Sequence, residues 1–359
     1  MRLWLQNAAG FLVEIESGLL IMSNYYDNGK LCFNYLAIPY VTKKQCPREK
    51  LIHALRLRLE DHTCNYTWAS NLELEVPRHW EKHGDLIILP QNAFRNPIWS
   101  QIGAWALVTE HLKCNRVARK SVVKNDKFRT PQVELVVGEN GWIQQIDNHI
   151  KFTYNVTKCM FSVGNITEKL RIASWNCSDE TVVDLYAGIG YFTLPYLVHA
   201  NAKHVFACEW NPDAVEALQR NLILNQVHDR CTVLPGDNAK VCPKAVAHRV
   251  NLGLIPSSES GWRTACRALR GDAVGFLHIH MNLESGQKQL IAHSKPTHSR
   301  NEVKCERILW VNETCEKIKN FLEEEHGGKW KTHAVHLEHV KSYAPHVDHV
   351  VLDMRCEPK

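Results

Sequence analysis

The run Thr181-Val-Val-Asp-Leu-Tyr-Ala-Gly-Ile-Gly-Tyr-Phe-Thr-Leu-Pro195 constrains this chain more than any other feature. It reads as a short buried strand (Val182, Val183), an acid at the strand's end (Asp184), a glycine turn (Gly188, Gly190) and a new helix. Open α/β sheets bind ligands beyond such carboxyl ends, where glycine lets the backbone approach them closely. The fingerprint for a pyrophosphate-bearing dinucleotide is Gly-x-Gly-x-x-Gly, but here Thr193 stands at the third glycine position. Asp184, just before the turn, would repel a diphosphate and tolerate a cation. The run therefore favours S-adenosylmethionine, a sulfonium, over a nicotinamide dinucleotide.

The chain has 359 residues, 45% of them hydrophobic, enough for a full core and for about two or three domains. A formal charge of +5, with 20 histidines besides, permits an anionic partner such as RNA without requiring one. The 13 cysteines are scattered and no Cys-x-x-Cys pair occurs, which argues against a zinc ribbon or a thioredoxin motif. Free buried thiols in a reducing compartment are expected instead. Asn-x-Ser/Thr triplets at Asn65 and Asn155 then read as chance. The apolar stretch from Phe11 to Met22 carries Glu14 and Glu16, so it makes a poor signal peptide or membrane span. The expectation is a cytoplasmic protein without a membrane partner.

Residues 1–45 lack clear periodicity and include a turn-rich run, Asn24 to Lys30; they read as an atypical or partial N-terminal segment. Residues 46–60 are predicted helical, with Ile52, Leu55 and Leu59 in one stripe and Leu51 beside it. Leu86–Leu89 reads as a strand, Trp99–Cys114 as a helix and Val133–Val137 as a strand. Gly138-Glu-Asn-Gly141 is a hairpin turn signal leading into a strand over Trp142–Ile146. Residues 46–150 thus read as a small α/β module.

Over 151–359, strand runs alternate with helical segments, the pattern of βαβ units and a parallel sheet. The candidate strands are Thr181–Leu185, His204–Glu209, Cys231–Pro235, Arg249–Ile255, Val274–His280, Lys331–Leu337 and Val347–Met354. A surface loop is expected between Leu283 and Lys304, then a helix over Glu306–Glu325. The predicted fold class is α/β: a Rossmann-like sheet of the class I S-adenosylmethionine-dependent transferase kind, preceded by a smaller α/β module.

Several residues fall where such a sheet binds its ligand. Glu209 ends the second strand about 20 residues after the glycine turn, where an acid grips ribose hydroxyls; the plainer alternative is a solvated acid at a helix start. Asp237-Asn238 ends the third strand, and an Asp-Asn pair offers the acceptor and donors an adenine edge needs; the alternative is a capping Asp in a turn. The stretch from Asn251 to Glu259 leaves the fourth strand beside the expected reaction centre. Asn251, Pro256 and Ser257 are positioning candidates there, with no residue declaring itself an acid or base.

His278 and His280 share one strand face, and five histidines from His333 to His349 gather near the end. Without metal-ligand spacing, partly exposed strand histidines are expected, and no metal site. The basic run Arg116, Arg119, Lys120, Lys124, Lys127 and Arg129 suits either an RNA backbone or a solvated loop.

Four segments carry a resemblance. They are Cys159-Met-Phe-Ser-Val-Gly-Asn-Ile-Thr-Glu-Lys-Leu-Arg171, Ala207-Cys-Glu-Trp-Asn-Pro212, Leu254-Ile-Pro-Ser-Ser258 and Lys341-Ser-Tyr-Ala-Pro-His-Val-Asp-His349. With the glycine turn they resemble the tRNA wybutosine-synthesising protein 2 family, relatives of the tRNA guanine-37 N1-methyltransferases. The resemblance spans roughly residue 46 to the C-terminus. It implies transfer of the 3-amino-3-carboxypropyl group of S-adenosylmethionine to C7 of 4-demethylwyosine at position 37 of tRNA(Phe), beside the anticodon, leaving methylthioadenosine. It also implies that Ser162 and Lys169 contact the cofactor, Glu209 the ribose, and Asp237 with Asn238 the adenine side, above the turn of Asp184, Gly188 and Gly190. The 46–150 module would then lie on the tRNA side, and a monomer is expected. Two departures stand out: the first 45 residues do not resemble the family's tRNA-reading start, and the polar segment after Leu283 matches no family motif. A methyltransferase acting on guanine-37 and a tRNA-binding protein without catalysis are the competing readings; the former typically carries Asn-Leu-Pro where this chain has Gly253-Leu-Ile-Pro256.

Overall fold

The computed structural model describes residues 3–6, 12–15, 18–27, 30–39, 46–62, 68, 70–121, 131–161, 163–284 and 300–359. The chain forms two compact units, Met1–Thr67 and Trp68–Lys359. In the first, β1 (Leu3–Gln6) pairs antiparallel with β2 (Leu12–Ile15), and β3 (Gly18–Asp27) with β4 (Lys30–Pro39). The run read as turn-rich is thus mostly strand, since Asn24–Asp27 pairs with Lys30–Phe33. Helix α1 (Pro47–Asp61) buries Leu51, Ile52, Leu55 and Leu59, the stripe that helical spacing predicts. Pro47 opens it and Glu49 accepts the Cys46 backbone N–H at 2.8 Å, satisfying a donor that the first turn leaves over.

The second unit begins with α2 (Ser70–Glu75) and a four-stranded sheet in the order β5–β6–β7–β8. These strands are Glu81–His83, Leu86–Leu89, Arg116–Lys120 and Val133–Val137. The helix expected over Trp99–Cys114 is two, α3 (Ile98–Gln101) and α4 (Ala104–Leu112). Gly103 between them takes φ +65°, a left-handed conformation that breaks the helix and that glycine adopts without a Cβ penalty.

The glycine pair at Gly138 and Gly141 is not a hairpin. Strand β8 pairs with β7, whereas β9 (Trp142–Asp147) pairs with β10 (Ile150–Asn155) in another sheet. The tight turn lies further on, at Asn148 and His149, with φ of +46° and +63°. Positive φ at both central residues suits a two-residue hairpin, because its twist matches that of the strands.

The large sheet has the strand order β13–β12–β11–β14–β15–β17–β16. In chain order these are β11 (Thr181–Asp184), β12 (His204–Glu209), β13 (Cys231–Pro235), β14 (Arg249–Leu252), β15 (Gly275–Glu284), β16 (Trp330–Ala344) and β17 (Val347–Pro358). Strand β17 is antiparallel to both neighbours, while β11 to β15 pair in parallel. The order reverses at β11, between β12 and β14, the switch point where such sheets open a crevice. Helices α5 (Ile166–Ala173), α6 (Thr193–Val198), α7 (Pro212–Leu224), α8 (Asn238–Val241), α9 (Trp262–Ala268) and α10 (Arg300–His326) accompany the strands.

One apolar core joins Val182, Val205, Leu194 and Leu218 to Leu86, Ile88 and Ala118, so the small sheet shares a core with the large one. A second core, around Trp262, Trp330, Val250 and Ile318, covers the other face. The fourth strand stops at Leu252 rather than at Ile255, and β15 to β17 run longer than expected. The loop expected from Leu283 gives way to strand as far as Glu284, and residues 285–299 lie outside the described residues. Among the described residues no helix is long and apolar enough to cross a membrane.

Candidate active site

The glycine turn meets Glu209 at the carboxyl edge of the sheet. The Gly188 N–H donates to Glu209 Oε2 at 2.7 Å, and the Asn211 N–H donates to Oε1 at 2.8 Å. Burial pushes this carboxyl up, and the N–H groups of Asn211 and Gly188 pull it back toward ionisation. Each carboxylate oxygen has a further lone pair, so the pinned acid can still accept two hydroxyl donors. Gly188 has φ +55°, and a Cβ there would stand 2.7 Å from the Tyr191 ring. A side chain at this position would be strained and crowded at once.

Asp184 lies behind the turn, fully buried. Its Oδ1 accepts from Asn251 Nδ2 at 3.0 Å and its Oδ2 from Thr193 Oγ1 at 2.8 Å. Burial raises its pKa, and the Asn251 and Thr193 hydrogen bonds oppose that rise. Thr193, which replaces the third glycine of the dinucleotide pattern, is therefore a ligand of the acid that precedes the turn. Asn251 keeps its Oδ1 buried and without a partner, one residue short of the end of β14. An acceptor left open here is expensive unless something donates to it.

Asp237 caps α8, accepting the Ala239 N–H at 3.1 Å, and Asn238 Nδ2 donates to the Leu185 carbonyl at 3.0 Å. The capping alternative is thus realised at Asp237, leaving its second oxygen uncommitted. The Gly236 N–H donates to the Glu209 carbonyl at 2.8 Å, which ties this turn to the ribose-side acid. Beyond β14, the Ile255–Pro256 bond is cis, and the Pro256 carbonyl accepts from the Asn282 N–H at 2.7 Å. Ser257 Oγ accepts the Glu259 N–H at 3.2 Å, the cap-like role.

Lys169 sits on α5 and is 3% exposed at its side chain. Its Nζ donates to Asp147 Oδ2 at 2.7 Å and stands 4.6 Å from the Phe161 ring centre, with Phe152 and Tyr191 close by. Burial lowers its pKa, and Asp147 opposes that effect. Ser162 lies outside the described residues. The Tyr191 hydroxyl donates to the Met160 carbonyl, linking the segment that leads to Ser162 with the glycine turn.

Helix α5 is docked by a buried polar chain. Arg171 holds Glu168 through two bonds of 2.8 and 2.7 Å and also grips Asp353 of β17. Asp353 accepts from His278 Nδ1 at 2.6 Å, and His278 Nε2 faces Arg249 at 2.8 Å. Both guanidiniums approach the Trp175 ring, Arg171 at 4.7 Å and Arg249 at 4.8 Å from its centre. His278, His280 and His349 are each 1% exposed, which corrects the expectation of partly exposed strand histidines for these three; His333 is half-buried and His336, His339 and His346 are exposed. The strands of the buried three are covered by α5 and the glycine-turn helix, as the Trp175–His278 stack at 4.6 Å and the Phe192–His280 contact at 5.0 Å record. Among the described residues, no group of three or more His, Cys, Asp or Glu side chains could hold a metal ion.

Sequence reasoning missed Asp147, whose partner is 22 residues away. It also missed the ring cage of Phe152, Phe161 and Tyr191, because neither has a local spacing that announces it. In the basic run, Arg116 is held by Asp85 at 2.6 Å, Arg119 by Glu134 at 2.9 Å, and Lys120 by Glu81. These three cations serve the small sheet; Lys124, Lys127 and Arg129 lie outside the described residues.

The family model described as the TRM5/TYW2 methyltransferase domain matches residues 144–308, and the TYW2 N-terminal domain model matches residues 64–141. The tRNA wybutosine-synthesizing protein 2 homolog of Danio rerio is 48% identical, over 81% of this chain and 74% of its own length. The Homo sapiens homolog is 46% identical, over 81% of this chain and 72% of its own. Among solved structures, P. horikoshii TYW2 in complex with MeSAdo aligns with a TM-score of 0.60 and 26% identity, covering 86% of this chain and 99% of that one. With the glycine turn, the pinned Glu209 and the Cys159–Arg171 segment in one fold, the chain belongs to the tRNA wybutosine-synthesising protein 2 family.

Proposed function

We infer that this chain is a transferase that moves the 3-amino-3-carboxypropyl group of S-adenosylmethionine to C7 of 4-demethylwyosine in tRNA(Phe), a step of wybutosine synthesis. The observation that carries the reading is the Glu209–Gly188 pair at the switch point, set within a chain of this family. The residues fit the donor. Gly188 and Gly190 leave the strand end clear, and Glu209 keeps lone pairs for two ribose hydroxyls. When bound, S-adenosylmethionine supplies an activated carbon whose bond to sulfur breaks with its electron pair, leaving neutral methylthioadenosine.

We assign Glu209 to the ribose, Asp237 and Asn238 to the adenine side, and Ser162 and Lys169 to contacts with the cofactor. Asp184 acts through the residues it holds, Asn251 and Thr193. Asn251, Pro256 and Ser257 border the base to be modified. The chain's task is orientation, presenting one carbon of the sulfonium rather than another in line with the base. The finer reading places the modified base at position 37, beside the anticodon, with a monomeric enzyme acting in the cytoplasm. Residues 46–150 then form the tRNA-side module, 151–359 the catalytic domain, and 1–45 an atypical N-terminal segment.

The test is incubation with tRNA(Phe) bearing 4-demethylwyosine and donor labelled either in the methyl or in the carboxypropyl chain, followed by mass spectrometry of the nucleosides. Carboxypropyl label in the base with methylthioadenosine released is the expected result. Methyl label in the RNA with S-adenosylhomocysteine as product would overturn the reading in favour of a methyltransferase.

A further inference from the structure

The resemblance implies that Lys169 contacts the cofactor, yet that ammonium is already held by Asp147 and three aromatic rings. Another cation stands at the start of the same helix. Lys341 of β16 lays its side chain across Gly164, so closely that a Cβ on Gly164 would fall on its Nζ and lie 3.2 Å from its Cε. Among the described residues this ammonium has no carboxylate partner; its recorded neighbours are the Tyr343 ring at 5.9 Å and the His349 imidazole, whose pKa it helps to lower.

The next residue supplies the complement. Asn165 is the N-cap of α5, a position where an Asn side chain usually accepts a backbone N–H. Here it makes no capping hydrogen bond, and its Oδ1 is buried without a partner. A cation without a carboxylate partner among the described residues and an open acceptor thus flank one glycine. That is the pairing an α-amino acid requires, with its carboxylate on the ammonium and its own ammonium on the acceptor. A phosphate would use only the first and would be repelled by the second.

We propose that Lys341 and Asn165 clamp the amino-acid end of S-adenosylmethionine, Lys341 Nζ taking the carboxylate and Asn165 Oδ1 the ammonium. The proposal rests on the transferase reading above. With Glu209 pinning the ribose, a second anchor at Gly164 holds the donor at both ends of the sulfonium. Two anchors fix the torsions about sulfur, and those torsions decide which carbon faces the base. Glycine at 164 is what lets the ammonium reach this place.

The test compares two ligands by calorimetry: S-adenosylmethionine, and methylthioadenosine, which lacks the amino-acid end. Wild-type protein should bind both. K341M and N165A should each lose about tenfold or more in affinity for S-adenosylmethionine, as expected for a hydrogen bond to a charged group. Both should bind methylthioadenosine within about twofold of wild type, which also reports an intact fold. G164A, whose methyl would push the flexible lysine tip aside, should behave as K341M does. Equal weakening of both ligands, or unchanged donor affinity with a loss only in tRNA binding, would overturn the clamp. A wild-type protein that binds neither ligand would instead sink the transferase reading on which the clamp depends.

Discussion

Lys169 of α5 and Asp147 of β9 form a buried ion pair, Nζ to Oδ2 at 2.7 Å, that fastens the catalytic sheet's covering helix to the neighbouring hairpin. Their side chains are 3% and 18% exposed, so little water can replace a missing partner. D147A should therefore destabilise the protein by about 3–5 kcal/mol, the usual consequence of stranding a buried charge. Urea unfolding of the single variants and of D147A/K169M checks this. The double variant, which has no stranded charge, should be more stable than D147A; if it is less stable, the pair is not what holds this junction.

Glu209 accepts two backbone N–H bonds and is assigned the ribose. In E209Q one oxygen becomes an NH2 group, which cannot accept from Gly188 or Asn211 and meets an N–H instead. Donor affinity should fall by about tenfold to a hundredfold, corresponding to about 1.5–3 kcal/mol for a hydrogen bond to a charged group. Calorimetry with methylthioadenosine isolates the effect, because that ligand keeps the ribose. Unchanged affinity would remove Glu209 from the site.

Acid should destabilise the fold before carboxylates titrate. Burial lowers His278 to about 4 and, with help from the Lys341 charge, lowers His349 to about 4 as well. An unfolded chain titrates its histidines near 6.5. The folded state binds fewer protons between those values, so stability is full above about 6.5 and falls as pH drops toward 4. Glu168 works the other way. Burial raises it to about 7, so its contribution is full below about 4.5 and is lost as pH rises through 7. Chemical denaturation at intervals from pH 4 to 8 should show a net loss on the acid side. H349Q should flatten that slope and E168Q should steepen it.

The strand–turn–helix at 181–195 and the alternation after it were legible because a parallel sheet writes itself locally: apolar runs of a few residues, then glycine or proline, then a 3.6-residue stripe. Four strand spans, Leu86–Leu89, Val133–Val137, His204–Glu209 and Cys231–Pro235, fall where the spacing puts them. What was illegible is long-range or depends on φ. The Gly138–Gly141 signal resembles a hairpin, yet partner choice moved the real turn to Asn148-His149. Asp147 meets Lys169, and Gly164 meets Lys341, only because the strands and helices fold together, and no spacing in the chain encodes either. His278, His280 and His349 were misread for the same reason: β15 and β17 look half-exposed until α5 and Phe192 are laid over them.

Asn251 joins the two halves of the candidate chemistry. Its Nδ2 holds Asp184, and its Oδ1 is an unsatisfied buried acceptor at the carboxyl end of β14. If that oxygen serves the base being modified, N251A should reduce kcat by about tenfold to a hundredfold, the range for a lost charged or strongly polarised hydrogen bond. Donor affinity should stay within about twofold, because Glu209 and the glycine turn are untouched. Losing the bond to Asp184 should also lower stability by about 1–3 kcal/mol, so turnover must be measured well below the unfolding temperature. N251D separates the two roles: it keeps an acceptor but sets a second carboxylate against Asp184, and should recover part of the turnover only at low pH. A full loss of donor binding in N251A would make this residue structural rather than a positioning one.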